Sequence, residues 1–201
     1  MAERASETKA EIRGQMAPFT MEQVQLIRAS LRASRAVRDL AVLETGIDTM
    51  LRGGDLLRLK VSDVRDVNGS IRQSLHVRQD KTDHTVRVTL TDKAQSALAA
   101  LVALGKCGPD YLFTRQGDPQ GKHLSEVSLR DIIKGWCKII HVDPRRYSGH
   151  SLRRTKAVFI YEETRNLEAV RQMLGHTSLA QTIKYLGVNE KQVADIAAKY
   201  E

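Results

Sequence analysis

Two imidazoles, a guanidinium and a phenol near the C-terminal end of the chain form a set able to handle a phosphodiester. His150 and Arg153 stand three residues apart at the start of a helical stretch after Gly149. Both can face one point near a helix N-terminus, where backbone amides and the dipole favour an anion. His176 follows Leu174-Gly175, and Tyr185 comes nine residues later. Each has an ordinary reading as well: cap and solvated charge for His150 and Arg153, helix C-cap for His176, core for Tyr185. Upstream, Arg52 sits among core leucines, either snorkelling to solvent or held for an anion. Lys81 lies at the tip of a hairpin, where a solvated lysine is the default. An imidazole moves protons, a guanidinium grips two phosphate oxygens, and a phenol attacks phosphorus. Two histidines without cysteine or acidic partners at fitting spacing do not make a zinc site. Walker, Rossmann and HExxH patterns are missing, so neither cofactor nor metal is expected.

The elements that must position these groups are mostly helical. Met1 to Ala17 has almost nothing to bury and reads as a flexible tail or lone solvated helix. Thr20 with Gln23 makes a capping box, beside which Phe19 and Val24 can staple, and Val24, Ile27 and Leu31 share a helical face. A second helix spans Ala36 to Glu44 and ends near Gly46. Gly53-Gly54, next to Arg52, marks a helix start or a close backbone approach, because glycine weakens a helix interior by about 1 kcal/mol. After the Asn68-Gly69 turn, the alternation from Ile71 to Val77 and from Val86 to Leu90 predicts a hairpin around Asp80 to Asp83. A short strand over Lys60–Val64 would complete a small sheet. Helices are then expected after Thr91, over Ser125–Ile140, Ser151–Glu163, Leu167–Leu174 and Ser178–Leu186. A last one follows the Asn189–Gln192 cap, with Val193, Ile196, Ala197 and Tyr200 on one face. The fold class is α+β, mainly helical with a small antiparallel sheet.

The chain has 201 residues, 41% of them hydrophobic and 4% aromatic, so aliphatic side chains must make most of the core. A formal net charge of +8 favours a polyanionic partner, of which nucleic acid is the commonest. Cys107 and Cys137 show no CxxC or metal-like spacing and read as reduced thiols. With no apolar run of membrane-spanning length and no signal-peptide pattern, a soluble cytoplasmic protein is expected.

Taken together, these separated stretches resemble the tyrosine site-specific recombinase (phage integrase) family. Leu51-Arg52-Gly53-Gly54-Asp55-Leu56-Leu57-Arg58-Leu59, followed by Ser62-Asp63-Val64, is similar to its first arginine box. Gln79-Asp80-Lys81-Thr82 between two strands is similar to its lysine hairpin. His150-Ser151-Leu152-Arg153-Arg154-Thr155 resembles H-x-L-R-H-T, with Arg154 in place of the frequent second histidine. Leu174-Gly175-His176 and Tyr185 resemble the final box. The likeness covers Pro18 to Glu201, and the chain looks closest to short, catalytic-domain-only bacterial members. The domain reading is therefore a tail over 1–17 and a catalytic domain over 18–201.

The resemblance implies metal-independent cleavage and rejoining of double-stranded DNA through a 3′-phosphotyrosyl intermediate. Arg52 and Arg153 would clamp the phosphate, Lys81 would protonate the departing 5′-oxygen, and Tyr185 would attack. His150 would help deprotonate Tyr185, His176 would bond the scissile phosphate, and Asp55 would position the first arginine. It also implies a homo-oligomer on DNA in a tetrameric synapse, nucleoid or plasmid association, and room for an accessory DNA-binding protein. Two other readings stay open: a non-catalytic architectural protein with the same fold, and a topoisomerase-like enzyme that relaxes supercoils without exchanging strands.

Overall fold

A computed structural model describes residues 15–80, 83–115, 117–118 and 121–187. Lys81 and the helix expected after Asn189 lie outside the described residues, as do residues 1–14 of the expected tail.

Helix α1, Met21–Ala33, begins at the foreseen capping box: the Gln23 amide N–H donates to Thr20 Oγ1 at 3.2 Å, and the Thr20 N–H to Gln23 Oε1 at 3.0 Å. It buries Val24, Ile27 and Leu31. Helix α2, Val37–Thr49, runs straight through Gly46, where the sequence suggested an end. A side chain at Gly46 would meet Leu152 Cδ1 at 2.9 Å and Leu56 Cδ2 at 3.0 Å, so its absence is what lets α2 approach its neighbours. The polar residues on either side of it stay helical because the buried acids among them have partners. Arg28 Nη2 donates to Glu44 Oε2 at 2.9 Å. Lys156 Nζ donates to Asp48 Oδ1 at 2.5 Å, and the Thr91 amide to Asp48 Oδ2 at 2.5 Å. Removing a half-buried cation would leave a buried carboxylate uncompensated, so these pairs lock α2 to α1 and to the long helix that carries Lys156.

Met50 ends α2 in the left-handed conformation (φ 50°), and Arg52 immediately precedes the short helix α3, Gly53–Leu57. Both glycine readings hold there: Gly53 starts the helix, and its missing Cβ would lie 3.3 Å from Leu129 Cδ2. The strand expected over Lys60–Val64 is instead a helical turn, α4, Val61–Val64. The Lys60 N–H donates to Asp63 Oδ2 at 2.8 Å, which starts a helix and diverts the chain from a ladder. Lys60 keeps one isolated bridge, to Tyr111.

Strands β1, Ser74–Arg78, and β2, Thr85–Thr89, pair antiparallel in the register Leu75↔Val88 and Val77↔Val86, with those four side chains buried. Ile71, read as the first residue of that strand, makes only an isolated bridge to Arg65. Helices α5 (Asp92–Ala103), α6 (Glu126–Ile139), α7 (Gly149–Thr164), α8 (Leu167–Leu174) and α9 (Leu179–Leu186) follow the expected order. The main core joins α1, α2, the hairpin, α5 and α6 around Trp136, Phe113 and the leucines. A smaller cluster of Met50, Ala157, Val170, Leu174 and Leu186 lies beneath the C-terminal helices and gives α9 its own footing.

Candidate active site

Arg153 sits on the first turns of α7, whose N-cap Ser148 accepts from the His150 amide at 3.2 Å. The side chain is 2% exposed. Its Nη1 donates to the Met50 carbonyl at 2.5 Å and its Nη2 to the Leu174 carbonyl at 2.6 Å. One guanidinium therefore ties the end of α2 to the end of α8. Its carbon Cζ lies 6.0 Å from the Tyr185 ring centroid, within cation–π range. Burial lowers its pKa, yet a guanidinium stays charged in proteins.

Tyr185 lies on α9, half-buried, and its hydroxyl is shielded from solvent beside the Arg153 guanidinium. Burial raises the phenol pKa, while Arg153, Arg154 and Arg52 pull against that rise. The His176 ring stands edge-on to Tyr185, with centroids 5.3 Å apart and planes at 82°. Gly175, at φ 65°, ends α8 and turns His176 into place, where Nδ1 is 3.1 Å from Thr182 Oγ1. Arg171 Nη1 steadies the turn by donating to the His176 carbonyl at 2.6 Å. Burial first, then the nearby positive charges of Arg153, Arg52 and Arg171, pull the His176 pKa down to about 4, so the ring is neutral at pH 7.

Arg52 lies close enough to act electrostatically on Arg153, His176 and Tyr185. Its Nη1 donates to Gln79 Oε1 at 2.6 Å. Gln79 is 1% exposed and forms the base of the hairpin turn, with its N–H on the His84 carbonyl and its own carbonyl accepting from Asp83. The sequence placed Gln79 in the lysine box but gave it no task; its burial and its bond to Arg52 show one. Asp55, buried, accepts from the Asp80 amide at 3.1 Å and from Arg58 at 3.2 Å, so it steadies the hairpin while Gln79 holds the Arg52 guanidinium. His150 is exposed and lines a groove of about 440 Å³ together with Arg52, Asp55, Asp80, Glu126 and Arg130. His150 and Arg153 thus part company: one stays at the groove rim, the other turns inward, and Arg52 neighbours both.

The remaining tyrosines in the described residues have other company. Tyr147 stacks on Phe19 at 4.7 Å, Tyr111 packs edge-on to His123, and Tyr161 lies beneath Arg165. Of these phenols, Tyr185 alone meets Arg153 and His176.

Residues 19–192 match the profile described as the phage integrase family. The chain belongs to the phage integrase family. Among curated members of this family, the tyrosine recombinase XerD of Halalkalibacterium halodurans is 25% identical over 190 residues, which covers 90% of this chain and 60% of that protein. XerC of Neisseria gonorrhoeae is 27% identical over 161 residues, covering 79% of this chain and 50% of that one. The chain therefore spans about half to three-fifths of these relatives. Among solved integrase-family structures, the XerA recombinase superposes with a TM-score of 0.72 at 21% identity, over 94% of this chain and 66% of that one. The XerH recombinase bound to its difH substrate in a pre-cleavage complex superposes with a TM-score of 0.70 at 20% identity, over 94% of this chain and 56% of that one. The shared fold is the mainly helical integrase architecture with its small hairpin.

Proposed function

We propose that this chain breaks and rejoins double-stranded DNA, with Tyr185 as nucleophile. The observation that carries the reading is the Tyr185 hydroxyl, shielded from solvent beside Arg153, His176 and Arg52. Family membership and the DNA-bound XerH neighbour support DNA as the substrate.

In the forward step the Tyr185 oxygen bonds to the scissile phosphorus and the bond to the 5′-oxygen breaks. The phenolic proton passes to His150 and the departing oxygen takes a proton from Lys81. Rejoining runs the same steps in reverse, and because the phosphotyrosyl link conserves the bond energy, no ATP is needed. Arg52 and Arg153 neutralise the non-bridging oxygens as charge gathers there, a task that suits two oriented guanidiniums. His176, neutral under the pull of its neighbours, donates to the phosphate without adding repulsion. Asp55, through Asp80, positions the lysine hairpin. Arginines and Lys81 supply the charge, so the chemistry is proposed to run without a metal. A homo-oligomer on DNA is proposed on the same grounds, with an accessory protein as a further partner.

The test uses nicked duplexes with randomised centres, in which the short strand beyond the nick diffuses away after cleavage and traps the adduct. Wild type should become covalently linked to DNA, equally well in EDTA, and two copies of the recovered site should exchange strands. Trapped adducts without exchange would point to supercoil relaxation. DNA binding with no adduct would leave the architectural reading in place.

A further inference from the structure

Arg154 is the position where the chain departs from the H-x-L-R-H-T pattern, and the proposed chemistry gives it no part. Its side chain is directed at the C-terminal end of α9, the helix that carries Tyr185. Arg154 Nη2 donates to the Leu186 carbonyl at 3.2 Å, and Nη1 to the Met16 carbonyl at 2.7 Å. The Gln15 side-chain amide donates to the Lys184 carbonyl. A helix leaves its last carbonyls without internal partners, and cations are favoured there. Here the Leu186 carbonyl is held by Arg154, and the Lys184 carbonyl, which also accepts from the Gly187 N–H at 3.2 Å, is held by the segment that Arg154 anchors. Gly187 completes the fit: at φ 72°, its missing Cβ would lie 2.8 Å from Arg154 Nη2.

The neighbouring arginines divide the work. Arg153 holds the terminal carbonyl of α8, just ahead of His176, and Arg154 holds that of α9, just after Tyr185. An imidazole has one donor when neutral and could not span two carbonyls, so the change from histidine to arginine supplies a second bond. We infer that Arg154, braced on Gln15 and Met16, is a positioning residue that fixes the Tyr185 helix for attack. The inference rests on the proposed function, since it names what aims that reaction's nucleophile.

The test compares two reactions of wild type, Arg154→Met and Arg154→Lys on a recovered site. One is adduct formation, which needs Tyr185. The other is joining of a strand ending in a 3′-p-nitrophenyl phosphate ester: a free 5′-hydroxyl attacks phosphorus and p-nitrophenolate leaves, so Tyr185 takes no part. Misplacement of a reacting group by an ångström costs as much as about 100-fold, so Arg154→Met should slow adduct formation by about 10- to 100-fold at saturating DNA. Joining of the ester should stay within about twofold of wild type. Arg154→Lys keeps the charge but not the two-carbonyl span, and should show the same split. Normal adduct formation in both variants overturns the inference. So does an equal loss of both reactions, which would mark a defect in folding or in the phosphate clamp. Wild type inert in both reactions would sink the proposed function itself, a distinct result.

Discussion

At the scale of single residues, Arg153 has a structural role that binding phosphate would not require. Its two bonds satisfy the carbonyls of Met50 and Leu174, both buried residues. Arg153→Ala should therefore destabilise the fold by about 2–3 kcal/mol in urea unfolding, in addition to slowing adduct formation by about 10²- to 10³-fold. Gln79→Leu should separate the two effects for Arg52. Losing the buried acceptor frees the guanidinium, so adduct formation should fall by about tenfold or more with DNA affinity nearly unchanged. An affinity loss in proportion would place Gln79 in binding instead. His176 makes the fold sensitive to pH. Its pKa is held at about 4 against 6.5 for an unperturbed ring, so below pH 6.5 the unfolded chain takes up the proton first. The stability present above pH 6.5 is lost as the pH falls towards 4, and His176→Asn should flatten that part of a urea-midpoint profile relative to wild type. The six proposed side chains were each an ordinary residue by type and spacing, and only the family resemblance of their separated boxes grouped them in the sequence. What was not visible was which way they turn. Three-residue spacing put His150 and Arg153 on one face, but only packing decides that one is buried against two helix ends while the other stays at the rim.

At the scale of elements, caps and periodicity carried the helices well. Thr20 and Thr91 cap where expected, and Ser125 and Ser178, read as first helical residues, are caps too, because a short polar side chain before an amphipathic run satisfies orphan amides locally. The misreadings came where tertiary partners overrule local chemistry. Glu44, Asp48 and Gly46 look like a helix end until Arg28, Lys156 and Leu152 are packed against them. Lys60 to Val64 has β-like residues, but Asp63 closes a turn. The α8 to α9 turn yields a direct test. Gly175 is left-handed, and a Cβ there would meet Val86 Cγ1 at 3.0 Å and Gln79 Oε1 at 3.4 Å. Gly105 is left-handed too, at φ 60°, with nothing within 4 Å. Each alanine substitution should cost about 1–2 kcal/mol of stability. Gly175→Ala alone should also slow adduct formation, because it displaces His176 and disturbs the Gln79 contact with Arg52. Equal activity in the two variants would show that the turn tolerates the shift.

At the scale of the whole molecule, the +8 charge was legible at once, but charge alone does not choose between binding and turnover. The choice rests on side chains from widely separated parts of the chain converging: Arg52 between α2 and α3, Arg153 on α7, His176 after α8 and Tyr185 on α9. Phosphate neutralisation by such a surface releases counterions. With about five phosphates contacted, the logarithm of affinity should fall against the logarithm of salt with a slope of about −4.5. A flat profile in a titration from low to high salt would contradict DNA as the partner. The central claim is narrower than binding: one phenol becomes esterified to a strand end. Its direct measurement is peptide mapping of the trapped adduct, with the bound strand digested to a short nucleotide remnant and the modified peptide sequenced by mass spectrometry. The remnant should sit on Tyr185 and vanish in Tyr185→Phe. A remnant on Tyr161, Tyr200 or any other residue, or an adduct that survives Tyr185→Phe, would contradict the account.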